Sequence, residues 1–240
     1  MAIYRAEGVV LRTIKLGEAD KILTICTRER GKVRAVAKGV RKTQSRFGGR
    51  LEPCNHVSLQ LYEGRELDTI TQAETVTTFA AVRGDLDRLG EAVTLLEAVD
   101  QLSQPNQADP RLLDMLLGAL AALNEQDSKL LVPAFLLKLL AHDGVRPELD
   151  ACTVCSREDI DALTRFDAGL GGMVCESCHR GHRISPEAHT ILRGILGGQL
   201  GAILALPDSK HSSEVVELSA RMFEYHIERR LRSHGLLDRH

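Results

Sequence analysis

Four cysteines form two Cys-x-x-Cys pairs, Cys152 with Cys155 and Cys175 with Cys178, separated by residues 156–174. Within each pair, the two-residue gap lets a tight turn direct both thiolates at one ion. Two such pairs complete the tetrahedral, all-sulfur shell of a structural zinc site, which leaves no position for a reactive water. The spacing therefore predicts one structural Zn²⁺ and a role in folding rather than in catalysis.

Two other interpretations of these cysteines remain open. Disulfide bonds form in oxidising compartments, but the first 21 residues show no basic stretch followed by a long apolar run and a small-residue cleavage site. His179 and His182 lie beside the second pair, and either is a candidate to replace a cysteine as ligand. Cys26 and Cys54 fall in segments that resemble strands, and we expect them to be small buried apolar side chains.

Positive charge is the second chemical feature of the chain, and it is concentrated near the start. Residues 1–80 carry 14 Lys and Arg against 9 Asp and Glu, a net charge of +5, whereas residues 81–240 carry 17 against 24, a net charge of −7. Residues 28–50 contain nine basic side chains and one acid, Glu29, for a local charge of +8. A polyanion is the partner that such a segment favours, although a solvated basic loop has the same composition.

Three features of this segment favour nucleic acid over a solvated loop. The basic residues span a strand, turn and loop rather than one helix face. Gly39, Gly48 and Gly49 allow close approach of a backbone, and an aromatic ring lies among the charges. The side chains predicted to contact DNA are Arg28, Arg30, Lys32, Arg34, Lys38, Arg41, Lys42, Arg46, Phe47 and Arg50.

The elements that must position this segment are predicted to be strands. Short apolar runs broken by turn residues indicate five strands, over residues 3–14, 21–27, 32–40, 57–62 and 66–74. Five strands in about 75 residues, with a long basic connection between the third and the fourth, are typical of a small closed barrel of the OB type. An SH3-like barrel has the same number of strands and fits the pattern too.

After residue 79 the apolar residues recur at helical steps. Ser185 and Pro186 are suited to the N-cap and first position of one helix, and Gly169, Gly171 and Gly172 suggest a hairpin turn before the second cysteine pair. Further helices are predicted around residues 86–99, 112–120, 132–142 and 216–231. The last of these places Val216, Ala220, Phe223, Ile227 and Leu231 inward, and Arg221, Glu228, Arg229, Arg230 and Arg232 on the other face.

The predicted fold class is α+β, with a barrel followed by an all-helical domain that contains a four-cysteine insertion. The predicted domains are an OB-type DNA-binding barrel (1–80), two parts of one helical domain (81–150 and 184–240) and a zinc-ribbon-like module between those parts (151–183). No apolar run reaches the length of about 18 residues that a bilayer span needs. We therefore expect a cytoplasmic protein.

Motifs of catalysis are absent from the sequence. No glycine-lysine pair is followed by Ser or Thr in a phosphate-binding loop, and no GxSxG, HExxH or GxGxxG occurs. A zinc deaminase needs H-x-E upstream of P-C-x-x-C, but the one H-x-E, His226 to Glu228, lies downstream of both cysteine pairs. We expect a protein that is not an enzyme.

Three strings resemble one family over essentially the whole chain. The segment Ala37–Pro53, AKGVRKTQSRFGGRLEP, is similar to the barrel loop of the bacterial recombination mediator family RecO. Phe223–Ser233 resembles the closing helix of that family, and Ala6–Leu11 resembles its first strand. The basic loop is the most specific of these features and the cysteine spacing is the least specific, because many zinc ribbons share it.

The resemblance implies a DNA repair protein without enzymatic activity that associates with the nucleoid. Members of the family bind single- and double-stranded DNA, anneal complementary strands and, with RecR, help RecA displace single-strand-binding protein. Some members lack the cysteines, which implies a structural role for the zinc. The alternative from a different class is a zinc-containing adaptor whose barrel and Leu-rich helices bind protein partners.

Overall fold

The computed structural model describes residues 2–228 and residue 231. The chain divides into two compact units, Met1–Glu125 and Gln126–His240. Among the described residues, the first unit contains a closed five-stranded barrel and three helices, and the second contains four helices and a small three-stranded sheet.

The barrel confirms the predicted OB-type fold. Its strands are β1 (Ile3–Leu16), β2 (Asp20–Thr27), β3 (Gly31–Ala37), β4 (His56–Tyr62) and β5 (Asp68–Thr77). They close in the order β1-β2-β3-β5-β4, and β3 is parallel to β5 while every other neighbouring pair is antiparallel. This Greek-key closure selects the OB-fold over the SH3-like alternative.

Alternation along β3 explains how one short strand serves both the core and the surface. Val33, Ala35 and Ala37 point into the barrel and are buried, whereas Lys32 and Arg34 point outward. The strand ends at Ala37, before the predicted residue 40, because the chain turns at Gly39, where φ is +69°. The periodicity thus places the charges outside and the small apolar residues inside.

Three helices complete the first unit: α1 (Ala80–Gly84), α2 (Leu86–Leu102) and α3 (Pro110–Glu125). Asp85 caps α2 by accepting hydrogen bonds from the backbone N–H groups of Asp87 and Arg88. Helices α2 and α3 pack on β1 and β2. These helices therefore group with the barrel in space, whereas the predicted division placed a boundary at residue 80.

The second unit is built around α4 (Leu131–His142), which is buried along nearly its whole length. It packs against α5 (Pro186–Leu196) and α7 (Lys210–His226), and α6 (Leu200–Leu204) lies next to α5. Ser185 is the N-cap of α5, as predicted, and accepts from the N–H of Ala188 at 3.2 Å. None of the described helices is long and apolar enough to cross a membrane.

The last helix begins and ends earlier in the chain than predicted. It ends at His226, and Leu231 is buried as expected but lies outside the helix. Arg229, Arg230 and Arg232, which were predicted on its outer face, lie outside the described residues.

The cysteine segment folds as a sheet of order β7-β6-β8, from β6 (Leu163–Asp167), β7 (Gly172–Cys175) and β8 (His182–Arg183). The hairpin between β6 and β7 turns through residues 168–171, as the glycines predicted.

Candidate nucleic-acid interface and metal centre

The loop that follows β3 is attached to the barrel by two apolar side chains. Phe47 and Leu51 are each 1% exposed and belong to the barrel core. Phe47 is thus an anchor and cannot stack on a base in this conformation, which corrects its predicted role in DNA contact. The guanidinium of Arg46 lies over the outer part of this anchor, 4.9 Å from the centre of the Phe47 ring.

A buried amide holds the shape of the loop. Asn55 is 1% exposed, and its side-chain N–H groups donate to the carbonyl oxygens of Gly49 and Arg50, both at 2.8 Å. Its oxygen accepts from the guanidinium of Arg83 at 2.6 Å. Every polar atom of this amide therefore takes part in a hydrogen bond, and two of these bonds hold the backbone at residues 49–50 in place.

Three of the nine basic side chains in residues 28–50 are neutralised by carboxylates. Arg28 pairs with Asp114 at 2.6 Å and Arg30 with Glu63 at 3.0 Å. Lys32 pairs with Asp100 at 3.2 Å and also donates to its carbonyl oxygen. Because Arg28 donates a hydrogen bond to it, Asp114 has a pKa below its usual value. These three residues stabilise the first unit and present little free charge.

The other six basic side chains are exposed: Arg34, Lys38, Arg41, Lys42, Arg46 and Arg50. Within the described part of the chain, none of the six makes an ion pair. Arg41 donates to the carbonyl oxygen of Gly17 at 3.1 Å, and Arg50 donates to those of Arg46 and Phe47 at 3.1 and 3.2 Å. Carbonyl acceptors orient a guanidinium without cancelling its charge, so we refer to these six residues as the cationic surface.

Aromatic rings contribute little to this surface. The Tyr4 hydroxyl donates to Asp68. The pKa of Tyr4 is raised mainly by burial and to a smaller extent by this hydrogen bond. The guanidinium of Arg30 covers the Tyr4 ring at 3.7 Å from its centre. Tyr62, by contrast, is 39% exposed. The chemistry that the surface offers is therefore attraction to phosphate rather than stacking on bases.

The four cysteines of the two pairs converge as predicted. The Sγ atoms of Cys152, Cys155, Cys175 and Cys178 all lie within 4.8 Å of one another. The Cys155 and Cys175 sulfurs are 3.7 Å apart, close to the edge of about 3.8 Å that a tetrahedron with metal–sulfur bonds of about 2.3 Å requires. The residues present therefore fit a four-coordinate metal, for which all four ligands would be thiolates.

Backbone hydrogen bonds prepare this site for negative sulfur. The N–H of Cys175 lies 3.4 Å from the Cys152 Sγ. Burial pushes the Cys152 pKa upward, but hydrogen bonds from the backbone N–H groups of Cys175, Cys155 and Val154 outweigh it, and the pKa falls to about 6. The turns thus favour a thiolate at Cys152.

Comparison with known proteins agrees with this geometry. The family model described as "Recombination protein O N terminal" matches residues 1–79, and the one described as "Recombination protein O C terminal" matches residues 83–235. The chain belongs to the RecO family. Two proteins with the curated name "DNA repair protein RecO" are similar over their full length. The one from Nocardioides sp. is 41% identical over 99% of this chain, and the one from Frankia casuarinae is 40% identical over 100%. A third, from Rubrobacter xylanophilus, is 40% identical over 98% of this chain and 92% of its own length.

As a member of the RecO family, the chain is a DNA repair and recombination protein with an OB-fold and a candidate metal site. RecO is a family of DNA repair mediators and is not known as a family of enzymes. The two family models meet between residues 79 and 83, near the end of the barrel.

The remaining predicted ligands lie apart from the metal centre. His179 and His182 are exposed and are not members of the cysteine cluster, and the imidazole of His179 is 3.9 Å from Glu176. Cys26 and Cys54 are each 1% exposed, and burial raises their pKa to about 12 and about 11. They are small buried side chains in this RecO chain, as predicted.

Sequence reasoning missed Asn55 and the three ion pairs. Asn55 gives no signal beyond a polar residue between a turn and a strand. The acidic partners of the ion pairs lie 33 to 86 residues along the chain from the cations. In this RecO protein, Asp114 on α3 and Asp100 on α2 pair with two of the cations, and Glu63, which follows β4, pairs with the third.

Proposed function

We propose that this RecO protein binds single- and double-stranded DNA through the cationic surface of its OB barrel. The observation that carries the proposal is a set of six exposed, unneutralised cations, of which Arg34 lies on β3 and the other five lie on the following loop. Phe47, Leu51 and Asn55 hold that loop in shape. A loop with a fixed backbone presents its charges without first losing conformational entropy. Phosphate contacts of this kind give affinity with little sequence preference.

The same surface supports the annealing of complementary strands without a nucleotide cofactor. Two polyanions repel one another, and cations that neutralise part of their charge raise the local strand concentration and lower that repulsion. Since stacking aromatics are few, the base edges of a bound strand stay free to pair. By analogy with the family, we propose that annealing and the assistance of RecA on DNA coated with single-strand-binding protein proceed together with RecR, in the cytoplasm at the nucleoid.

The proposed metal is one Zn²⁺ per chain, held by Cys152, Cys155, Cys175 and Cys178. When bound, a Zn²⁺ ion in such a closed shell supplies cross-linking and no chemistry on a substrate. The three strands of the module have only 5, 4 and 2 residues, so the module needs stabilisation beyond its strand pairing. A metal cross-link fits that need.

Salt dependence of binding tests the DNA proposal. For single strands, each neutralised phosphate contributes about −0.7 to the slope of log K against log salt. Replacing Arg41 and Lys42 together by alanine should therefore flatten the slope by about 1.4, measured by titrating a labelled oligonucleotide at several salt concentrations. Arg65→Ala removes an exposed arginine from the β4–β5 turn instead and is the matched control, for which we expect no change in slope. An unchanged slope in the double variant would remove the loop as the binding site.

The adaptor function is the second candidate, and one observation favours it. Ile14 and Leu16, near the end of β1, are 47% and 40% exposed, and apolar residues of this kind suit a protein partner. An adaptor would bind DNA weakly and equally well with or without Arg41 and Lys42, so the salt titration separates the two functions.

A further inference from the structure

The four cysteines of the metal centre differ in their exposure to solvent. Cys155 is exposed and Cys178 is half-buried, whereas Cys152 and Cys175 are buried. The N–H of Cys175 also faces the buried Cys152 Sγ. A small oxidant arriving from solvent therefore meets Cys155 before the buried cysteines, and the Sγ of the buried Cys175 lies 3.7 Å from the Cys155 Sγ.

We propose that Cys155 is a site of oxidative modification by hydrogen peroxide, and that Cys175 resolves the oxidised sulfur as a disulfide. The inference rests on the proposed metal site, since the ligand geometry is what brings the two thiols together. It concerns neither DNA contact nor annealing.

The chemistry balances with the peroxide as the one oxidant. The Cys155 thiolate attacks one peroxide oxygen, so that the O–O bond breaks, an S–O bond forms and the other oxygen leaves as water after taking a proton. The Cys175 thiolate then attacks the Cys155 sulfur, an S–S bond forms, the S–O bond breaks and a second water leaves. Two thiolates lose one electron each, and the peroxide gains two electrons and two protons.

The geometry allows the second step with small movements. A disulfide needs its sulfurs about 2.0 Å apart, so the 3.7 Å separation has to close by less than the length of a carbon–sulfur bond. Residues 153–156 form a surface turn, and Cys155 within it is exposed. Rotation of its side chain therefore displaces no core residue.

Disulfide formation would remove two of the four metal ligands. Two remaining thiolates leave a divalent ion without its tetrahedral shell, so we expect the ion to be released as the disulfide forms. Oxidation at an exposed ligand would thereby replace the metal cross-link between the two cysteine pairs with a disulfide bond.

The same chain carries an internal control. Cys26 and Cys54 are buried in the first unit, and burial raises the pKa of each thiol. Neither takes part in the metal cluster, so both should stay reduced at peroxide concentrations that oxidise the metal centre.

Tryptic digestion identifies the bond directly. Trypsin leaves the first cysteine pair in residues 139–157, because Arg146 precedes proline, and the second pair in residues 166–180. The full-length, zinc-loaded protein is treated with hydrogen peroxide, free zinc is followed with a chromogenic chelator, and free thiols are alkylated before digestion. We expect the two peptides joined by a bond that fragmentation assigns to Cys155 and Cys175, in proportion to the zinc released, with Cys26 and Cys54 fully alkylated.

Other products would overturn the inference. Disulfides confined within one peptide would show that the bond forms within a Cys-x-x-Cys pair. A sulfinic acid at Cys155 without a disulfide would show that Cys175 does not resolve the oxidised sulfur. A bond assigned to Cys152 or Cys178 would refute the choice of residues. Metal content before oxidation is a separate measurement, so a protein isolated without zinc would refute the metal proposal alone, and the same digest would still report the disulfide.

Discussion

Asn55 is an uncharged residue buried beneath the cationic surface, where it links the loop backbone to Arg83. Asn55→Ala removes hydrogen bonds to two carbonyl oxygens and one guanidinium, and a typical hydrogen bond contributes about 0.5–1.5 kcal/mol to stability. We expect a lower melting temperature and weaker DNA binding, both measurable on the same preparation.

Asn55→Asp separates the two halves of this link. It keeps an oxygen for Arg83 but loses the N–H groups that hold Gly49 and Arg50. We expect Asn55→Asp to weaken DNA binding as Asn55→Ala does, and binding at the wild-type level in both variants would show that the loop keeps its shape without the amide.

Gly31 is needed for two reasons that a pair of substitutions can separate. Its φ is +64°, and a Cβ at this position would lie 2.1 Å from the carbonyl oxygen of Gln107. Gly17 has a φ of +56° with nothing within 4 Å of its Cβ position. Gly17→Ala should cost about 1–2 kcal/mol in the free energy of unfolding, from backbone strain alone. Gly31→Ala should cost about 1–3 kcal/mol more, because the segment at Gln107 has to move. If denaturant titration gives the same loss of unfolding free energy for both variants, the segment at Gln107 moves without a measurable cost.

At the scale of elements, the metal module consists of three strands of 5, 4 and 2 residues, which the metal would cross-link. Cys175→Ser removes one ligand from the cluster and should lower both the zinc content and the melting temperature. Ser177→Ala alters an exposed neighbour between Glu176 and Cys178 and should change neither. Full zinc content and an unchanged melting curve for Cys175→Ser would exclude Cys175 as a ligand.

The elements themselves were largely predictable, because their signals are local. Short apolar runs between turn residues predicted all five barrel strands, and the Ser185–Pro186 pair predicted the start of α5. The short helices α1 and α6 were missed because five residues carry no clear period. The metal centre was predictable for a similar reason, since Cys-x-x-Cys is a local motif with one geometric solution.

The paired and free charges of the basic segment were not predictable in this way. Charge density identified residues 28–50, but Arg28 and Arg34 have the same side chain, and only the position of Asp114 on α3 distinguishes them. Phe47 shows the same limit. An aromatic ring among basic residues suits base stacking, whereas the packing of this ring makes it part of the core. Tertiary contacts decide such roles, and a local sequence pattern does not reveal these contacts.

For the molecule as a whole, the proposed activity is the pairing of strands without ATP. The protein should accelerate annealing of two labelled complementary oligonucleotides, and added salt should suppress annealing together with binding. Arg46→Glu combined with Arg50→Glu should reduce the rate at least as strongly as it reduces affinity, because each reversal adds repulsion where neutralisation is needed.

Arg65→Glu supplies the matched charge reversal for this annealing assay, outside the cationic surface, and should leave the rate unchanged. Rates equal to those without protein at saturating binding would indicate a passive binder. Rates untouched by the paired reversals would place the annealing surface elsewhere in the chain.

Strands β3 and β5 pair only at Ala35–Asp68 and Val36–Thr69, whereas β1 and β2 pair from Gly8–Thr27 to Leu16–Asp20. Amide hydrogen exchange reports local opening, which begins where few hydrogen bonds resist it. We refer to the short β3–β5 pairing as the seam, and we expect its amides to exchange before those of the β1–β2 hairpin. The loop that carries the cationic surface begins where β3 leaves the seam and inserts Phe47 and Leu51 into the same barrel. A bound strand that steadies the loop should therefore slow exchange at β5, in residues that touch no phosphate.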